Sequence, residues 1–387
     1  MGLRVAIVGE VPAEEQQVVG GVQAATAYLI EGLARTGLEL HIITLDYQAA
    51  HDSQRQALGV TYHRLAMPPR LGLVTAHAAA RWRVNRLLAT LAPDVVHGIG
   101  TGVHGYVALR AGYPAVLTVH GVQREDARYL SGLRNRLHGW LQGICIEAWC
   151  VAHARHVILI DPYVLQALPG LRQASLFPIP NPVAEFYFHL DPDPEPGRIL
   201  YAGVIVPRKR LLDALVAVEQ VRQTVPGVSL RVAGAATDPT YYAQVQRYAA
   251  EHGLAQRVAF LGPLSESALA EEYRRASVLL LPSAQETTPM VIAQAMAAAT
   301  PVIATRVGGV PGMVEEGVTG LLTPPGDVAA IAGALKRLLT DPSQRRRMGE
   351  RGRERARAHY AIERVAAETA RVYQQARAAC LSSPGRL

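Results

Sequence analysis

A chain of 387 residues is long enough for two domains of ordinary size, and its 49% apolar and 18% charged content excludes general disorder. No apolar run approaches the roughly 18 residues of a membrane-spanning helix. The net charge of +7 is carried almost wholly by arginine, Lys209 and Lys336 being the only lysines. A basic balance suits nucleic acid, anionic lipid or phosphorylated ligands. The basic residues are dispersed and form no zinc-finger, basic-zipper or RNA-recognition signature, which argues against nucleic acid. Cys145, Cys150 and Cys380 are sparse, odd in number and without metal-ligand spacing, so reduced thiols, a cytoplasmic location and no metal site are expected.

The opening MGLRVAIVGEVP reads as a first buried strand, residues 3–9, better than as a secretory signal. A loop ending in Gly20-Gly21 leads into a helix over about Val22–Arg35; two adjacent glycines opening a helix let backbone approach a phosphate. Glu39–Leu45 is a second strand, and Asp46–Pro69 is polar and irregular with a strand at Val60–Leu65. Leu71–Leu91 reads as one long helix carrying Arg81, Trp82, Arg83 and Arg86. Strands follow at Asp94–His97 and Ala115–Val119, with a helix at Val103–Arg110 between them, and the second strand ends in His120-Gly121. Gln123–Gln142 has apolar residues spaced by three and four among Arg124, Arg128, Arg134 and Arg136, which predicts one amphipathic helix with a basic rim. Strands at His156–Ile160 and near Ser175–Ile179 complete a first α/β series.

The proline-rich run Pro178–Gly197 reads as a linker, unlikely to be helical. A second series then opens with a strand at Arg198–Ala202, Gly203, a turn, and a helix begun by Lys209 and running to about Val221. Strands at Ser229–Ala233 and Val258–Leu261 end in Gly234 and Gly262, where a base or ribose could lie against backbone. The stretch LLLPSAQETTPMVIAQAMAAATPVIAT, Leu279–Thr305, reads as strand, turn, helix and strand. Thr288 is expected to cap the helix, with Pro289 at its first position and its end near Ala298. Such a helix start, at the carboxyl end of a parallel strand, is an anion site. Helices at Asp327–Leu339, Gln344–Ala358 and about Ile362–Ala379 close the chain.

An acid before the helix (Glu286), a polar residue eight positions later (Gln294), then A-M-A and P-V-I-A-T resembles the retaining glycosyltransferases of family four, the group 1 type. The resemblance implies the GT-B fold: α/β, two Rossmann-like doubly wound parallel-sheet domains facing a central cleft. It implies that Glu286 contacts the donor sugar, that Gln294 holds the ribose with Gly234 and Gly262 near the base, and that the diphosphate lies over the helix start at Thr287 and Thr288. Gly203 and Lys209 match the family's diphosphate-binding turn; Val204 stands where it has arginine, so Arg208 is the candidate second cation. Gly20 and Gly21 fall where it has its N-terminal glycine loop. LTVHG resembles its t-x-H-G motif, whose histidine, here His120, lines the cleft near the donor sugar. Two further departures are Gln294 in place of glutamate and Ala299 in place of a helix-ending glycine.

The domains expected are 1–185 for the acceptor, a linker at 186–197, 198–360 for the nucleotide sugar, and 361–387 as a terminal helix returning to the N-terminal domain. The function expected is retaining, metal-independent transfer of a hexose from a nucleotide-diphosphate sugar to an acceptor hydroxyl, with no cofactor beyond that donor. The acceptor would be a sugar, a lipid-linked sugar or a small molecule. Arginine rims beside Leu and Trp on the two N-terminal helices suggest peripheral membrane contact. The alternatives are a nucleotide-sugar-binding pseudoenzyme, or a GT-B epimerase or phosphorylase.

Overall fold

The computed structural model describes residues 2–11, 20–68, 75–129 and 132–382. It divides into two compact units: residues 1–11, 26–182 and 362–387 form the first, and 12–25 with 183–361 the second.

The first unit holds an eight-stranded sheet with strands β1 (Arg4–Val8), β2 (Glu39–Asp46), β3 (Ser53–Ala57), β4 (Val60–Ala66), β5 (Val95–Ile99), β6 (Ala115–Val119), β7 (His156–Leu159) and β8 (Ser175–Pro178). Their order is β3-β4-β2-β1-β5-β6-β7-β8, and every pairing among them is parallel except β3 with β4. The hairpin of β3 was not foreseen in the polar stretch after Asp46. Its turn puts Leu58 and Gly59 at φ 51° and 77°, a mirror-image turn for which Leu-Gly is a faint signal. Strands β1 and β5 are buried on both faces by Val and Ile, as parallel sheets covered by helices require.

Helices α1 (Gly21–Ala34), α2 (Ala78–Leu91), α3 (Val103–Leu109), α4 (Gln123–Ala127), α5 (Leu133–Gln142), α6 (Ala148–His153) and α7 (Pro162–Ala167) connect these strands. The long helix expected over Leu71–Leu91 starts only at Ala78; residues 71–74 lie outside the described residues. The single helix expected over Gln123–Gln142 is two, because Gly132 stands at φ 81°, and Leu130 lies outside the described residues. A π-helical turn, Gly143–Glu147, joins α5 to α6. The last helix, Ile362–Leu381, packs Val365, Val372 and Tyr373 into the core of this unit, and the Tyr373 hydroxyl lies 2.8 Å from His97 Nδ1 on β5.

The second unit holds a six-stranded parallel sheet of β9 (Arg198–Ala202), β10 (Ser229–Ala233), β11 (Val258–Gly262), β12 (Val278–Leu281), β13 (Val302–Thr305) and β14 (Gly320–Thr323). Their order β11-β10-β9-β12-β13-β14 is the doubly wound 3-2-1-4-5-6 arrangement, whose direction of winding reverses between β9 and β12. Helices α8 (Leu211–Val221), α9 (Pro239–Glu251), α10 (Glu266–Arg275), α11 (Met290–Ala297), α12 (Val310–Met313), α13 (Val328–Thr340) and α14 (Pro342–Tyr360) cover it. The proline-rich run is not wholly extended: Glu185–His189 makes a 3-10 turn that buries Tyr187 and Phe188. The α8 helix begins after Lys209, since Pro207–Lys209 is a 3-10 turn closed by Arg210 in the left-handed region at φ 49°.

Candidate functional site

In an open α/β sheet, ligands lie beyond the carboxyl ends of the strands at the point where winding reverses. In the second unit that point is where β9 and β12 end, and both chains turn there with polar residues. After β9 comes Gly203, then the 3-10 turn that presents Arg208 and Lys209; after β12 comes Ser283-Ala284-Gln285-Glu286. The two turns are laced together. Ala284 N–H donates to the Arg208 carbonyl at 2.8 Å, and Arg208 Nη1 donates to the Gln285 carbonyl at 2.8 Å.

Lacing brings opposite charges into contact. Lys209 Nζ donates to Glu286 Oε1 at 2.5 Å, Ser283 Oγ donates to the same oxygen at 2.6 Å, and Arg208 Nη1 lies 3.7 Å from Oε2. The Lys209 and Glu286 side chains are only 11% and 6% exposed. A buried pair of this kind is stable only when further bonds satisfy it, and Ser283 and Arg208 supply them. Thr305, at the end of β13, braces the turn by donating to the Ser283 carbonyl at 2.5 Å, and Gly309 N–H donates to the Thr287 carbonyl at 3.0 Å.

The start of α11 differs from expectation. Pro289 is the N-cap residue rather than the first helical one, and Thr288 makes no capping bond. Among the described residues its Oγ1 is buried without a partner, as is the Gln285 side-chain nitrogen. The residue before a proline is disfavoured in helical backbone, and Thr288 lies in a bend outside the helix. Gly21 packs here too: a Cβ on it would stand 3.3 Å from Cγ of Met290, the first residue of α11. Among the described residues nothing lies within 4 Å of a Cβ placed on Gly20; residues 12–19 of the loop expected before it lie outside them.

Gly203 and Gly234 continue the sheet past β9 and β10, and Gly262 ends β11, Gly203 N–H donating to the Ala233 carbonyl and Gly234 N–H to the Gly262 carbonyl at 2.9 and 2.8 Å. Gly234 stands at φ 150°, and a Cβ there would fall 2.0 Å from the Gly203 carbonyl oxygen. Gln294 is turned inward: it is 4% exposed, and its Oε1 lies 3.2 Å from the Tyr273 hydroxyl of α10. Ala299 closes α11 at φ 56°, a left-handed position that suits glycine.

His120 belongs to the first unit, just past the carboxyl end of β6. Its Nδ1 is buried without a partner among the described residues, and burial lowers the ring's pKa to about 4, so it is neutral at pH 7. Ser283, Gln285 and Thr305 escaped the sequence reading; a run of polar residues between a buried strand and a helix was the signal available for the first two. Glu147 escaped it as well, although one acid within Gly143–Cys150 (GICIEAWC) is conspicuous. Among the described residues no helix is long and apolar enough to cross a membrane.

Two parallel-sheet units, one with a lysine–glutamate pair at its reversal point, make up the GT-B fold. Residues 184–355 match the family model for glycosyl transferases group 1, and residues 20–182 match that for the glycosyl transferase 4-like domain. Glycogen synthase of Mycobacterium tuberculosis is 30% identical over 295 residues, 74% of this chain and 69% of that protein. D-inositol 3-phosphate glycosyltransferase of Corynebacterium glutamicum is 37% identical over 181 residues, 46% of this chain and 43% of that protein. Sucrose-phosphate synthase from Thermosynechococcus elongatus has a similar fold, with TM-score 0.79 and 24% identity over 97% of this chain and all of that one. Anabaena HepE, solved with UDP-glucose, aligns with TM-score 0.73 and 18% identity over 98% of this chain and all of that one. The chain belongs to the group 1 glycosyltransferases, enzymes that move a hexose from a nucleotide sugar to an acceptor.

Proposed function

We propose that this enzyme transfers its hexose with retention and without a metal ion, Lys209 and Glu286 serving the donor. The observation that carries this reading is the Lys209–Glu286 contact, 2.5 Å long and buried where β9 and β12 end. A diphosphate over the start of α11 gains the partial positive charge of that helix end together with Lys209 and Arg208, with Thr287, Thr288 and the backbone of Gly20 and Gly21 beside it. Those cations stabilise the charge that grows on the leaving β-phosphate, the task a metal performs elsewhere. In the reaction the C1–O bond to the β-phosphate breaks and its electron pair stays with the phosphate. The acceptor oxygen bonds to C1 on the same face, and its proton passes to the leaving phosphate oxygen. Glu286 holds hydroxyls of the donor hexose, and neutral His120 lines the donor sugar. Gln294, Gly234 and Gly262 hold the ribose and base. No cofactor beyond the donor is needed.

The test is incubation with UDP-, GDP- and ADP-sugars, with and without a chelator, followed by NMR of the anomeric product. Slow sugar release from one donor, unaffected by chelation and with retained configuration, is expected. Thermal stabilisation without turnover would indicate a binding protein, and inverted product would refute retention.

We also infer that the first unit meets an anionic membrane surface through α5, at the cytoplasmic face, where a lipid-linked acceptor would be presented. Leu133, Leu137 and Trp140 are 84%, 53% and 51% exposed, and their spacing puts them on one helical face. Arg134 and Arg136 stand exposed beside them, and residues 128–146 contain no acid. Apolar side chains rimmed by cations suit a headgroup layer. The second rim expected, on α2, is partly consumed: Arg83 Nη2 reaches both Asp52 oxygens at 2.6 Å. Co-sedimentation with phosphatidylglycerol vesicles that disappears at high salt and in Leu133→Ser/Trp140→Ser is expected. Absence of binding at low salt, or a dimer lost in the same variant, refutes the contact.

A further inference from the structure

We propose that Glu147 is a positioning residue for His120, setting the loop after β6 against the loop after β5. The inference rests on the reading of His120 above. Glu147 is 1% exposed and ends the π-helical turn between α5 and α6, a departure from regular helix that concentrates at functional sites. Its Oε2 accepts from two directions, from Thr101 Oγ1 at 3.0 Å and from Gln123 N–H at 2.8 Å. Thr101 is two residues past the end of β5; Gln123 is three past His120 and opens α4. Strands β5 and β6 are parallel neighbours, so their loops leave the sheet side by side. One carboxylate therefore ties both loops at the sheet end where ligands gather.

The residue ahead of α4 does not cap it. Gly121 follows His120, and the N-cap residue Val122 has no side chain that could cap α4. The first amides of α4 are turned toward the Glu147 carboxylate instead, an arrangement that a helix start favours. Burial raises the carboxyl's pKa, and the bonds from Gln123 and Thr101 oppose that rise. A group kept at this cost, with two strand-end loops as its partners, sets a geometry that hydrophobic packing around it does not specify.

Glu147→Met keeps the length of the side chain but removes the oxygen that accepts from both Thr101 and Gln123. Thr101→Val removes one tie alone and serves as the milder variant if the first fails to fold. The measurements are kcat for sugar release, the dissociation constant of the nucleoside diphosphate, and the thermal midpoint. Misplacing a group in a reaction centre by a fraction of an ångström costs kcat, so Glu147→Met should lower it about tenfold or more, with nucleotide binding unchanged. Thr101→Val should lower kcat by a smaller factor, and the pair should be less than additive because they share one network. A lower thermal midpoint with kcat unchanged in the folded variants would show a merely structural cap and overturn the proposal. His120→Asn separates the two layers: if it leaves kcat intact, the reading of His120 falls. If it abolishes turnover while Glu147→Met does not, only the positioning role falls.

Discussion

Replacing Lys209 by methionine keeps the length and apolar stem of the side chain and deletes only the ammonium. The structure sets the size of two separate effects. Glu286, 6% exposed at its side chain, loses a partner at 2.5 Å but keeps Ser283 Oγ at 2.6 Å and Arg208 Nη1 at 3.7 Å. Stranding one member of a buried pair costs about 3–5 kcal/mol. With Arg208 still in reach, about 2–3 kcal/mol is expected, a fall of roughly 4–12 °C in the midpoint of this unit. The second effect is on the donor. A charge-assisted hydrogen bond contributes about 1.5–3 kcal/mol, so nucleoside diphosphate affinity should fall by roughly 10- to 150-fold. Calorimetric unfolding and titration with the nucleoside diphosphate measure the two separately. Adding Glu286→Gln removes the stranded carboxylate, so the double variant should recover most of the stability and none of the affinity. If Lys209→Met binds the nucleotide as tightly as the parent protein, Lys209 does not hold the diphosphate, and Arg208 becomes the cation to test.

Ala299→Gly relieves a left-handed alanine at φ 56° and should stabilise the protein by about 1 kcal/mol, raising the midpoint by roughly 2–4 °C; a lower midpoint would contradict the strain argument. Gln294→Glu restores charge-assisted bonding at the ribose, and nucleoside diphosphate affinity should rise about tenfold; unchanged affinity removes Gln294 from the ribose site. Burial opposes ionisation of Glu272, yet hydrogen bonds from Arg231 and Arg198 hold its carboxyl below the usual range. The unfolded chain therefore takes up a proton first on acidification. The stability this group contributes is present above its unfolded pKa and lost as the pH falls through the folded one. Glu272→Gln should thus be less stable at pH 7 and show a flatter fall in midpoint below about pH 5; an unchanged slope refutes the coupling.

The linear chain determined the two α/β series, because buried parallel strands such as Leu279–Leu281 are short apolar runs that local composition reveals. Glu286, Lys209 and Gly203 were marked by the resemblance of their turns to the family's motifs, which lie in short connections between a strand and a helix. Ala299 was marked by the same resemblance as the place of a helix-ending glycine, and it stands at φ 56°. Contacts between distant residues were not legible. That Lys209 touches Glu286, 77 positions away, follows from β9 and β12 being neighbours at the reversal of the sheet. Strand order is set by packing over the whole unit, not by any local pattern. The same holds for Glu147, whose meaning depends on two loops that only the pairing of β5 with β6 brings together. Errors followed the same physics. One glycine at φ 81° split the helix expected over Gln123–Gln142, and the cap assigned to Thr288 failed, Pro289 being the N-cap residue. Periodicity records which face of an element is apolar, whereas the carboxylate–ammonium contact at the site exists only once the sheet has closed around it.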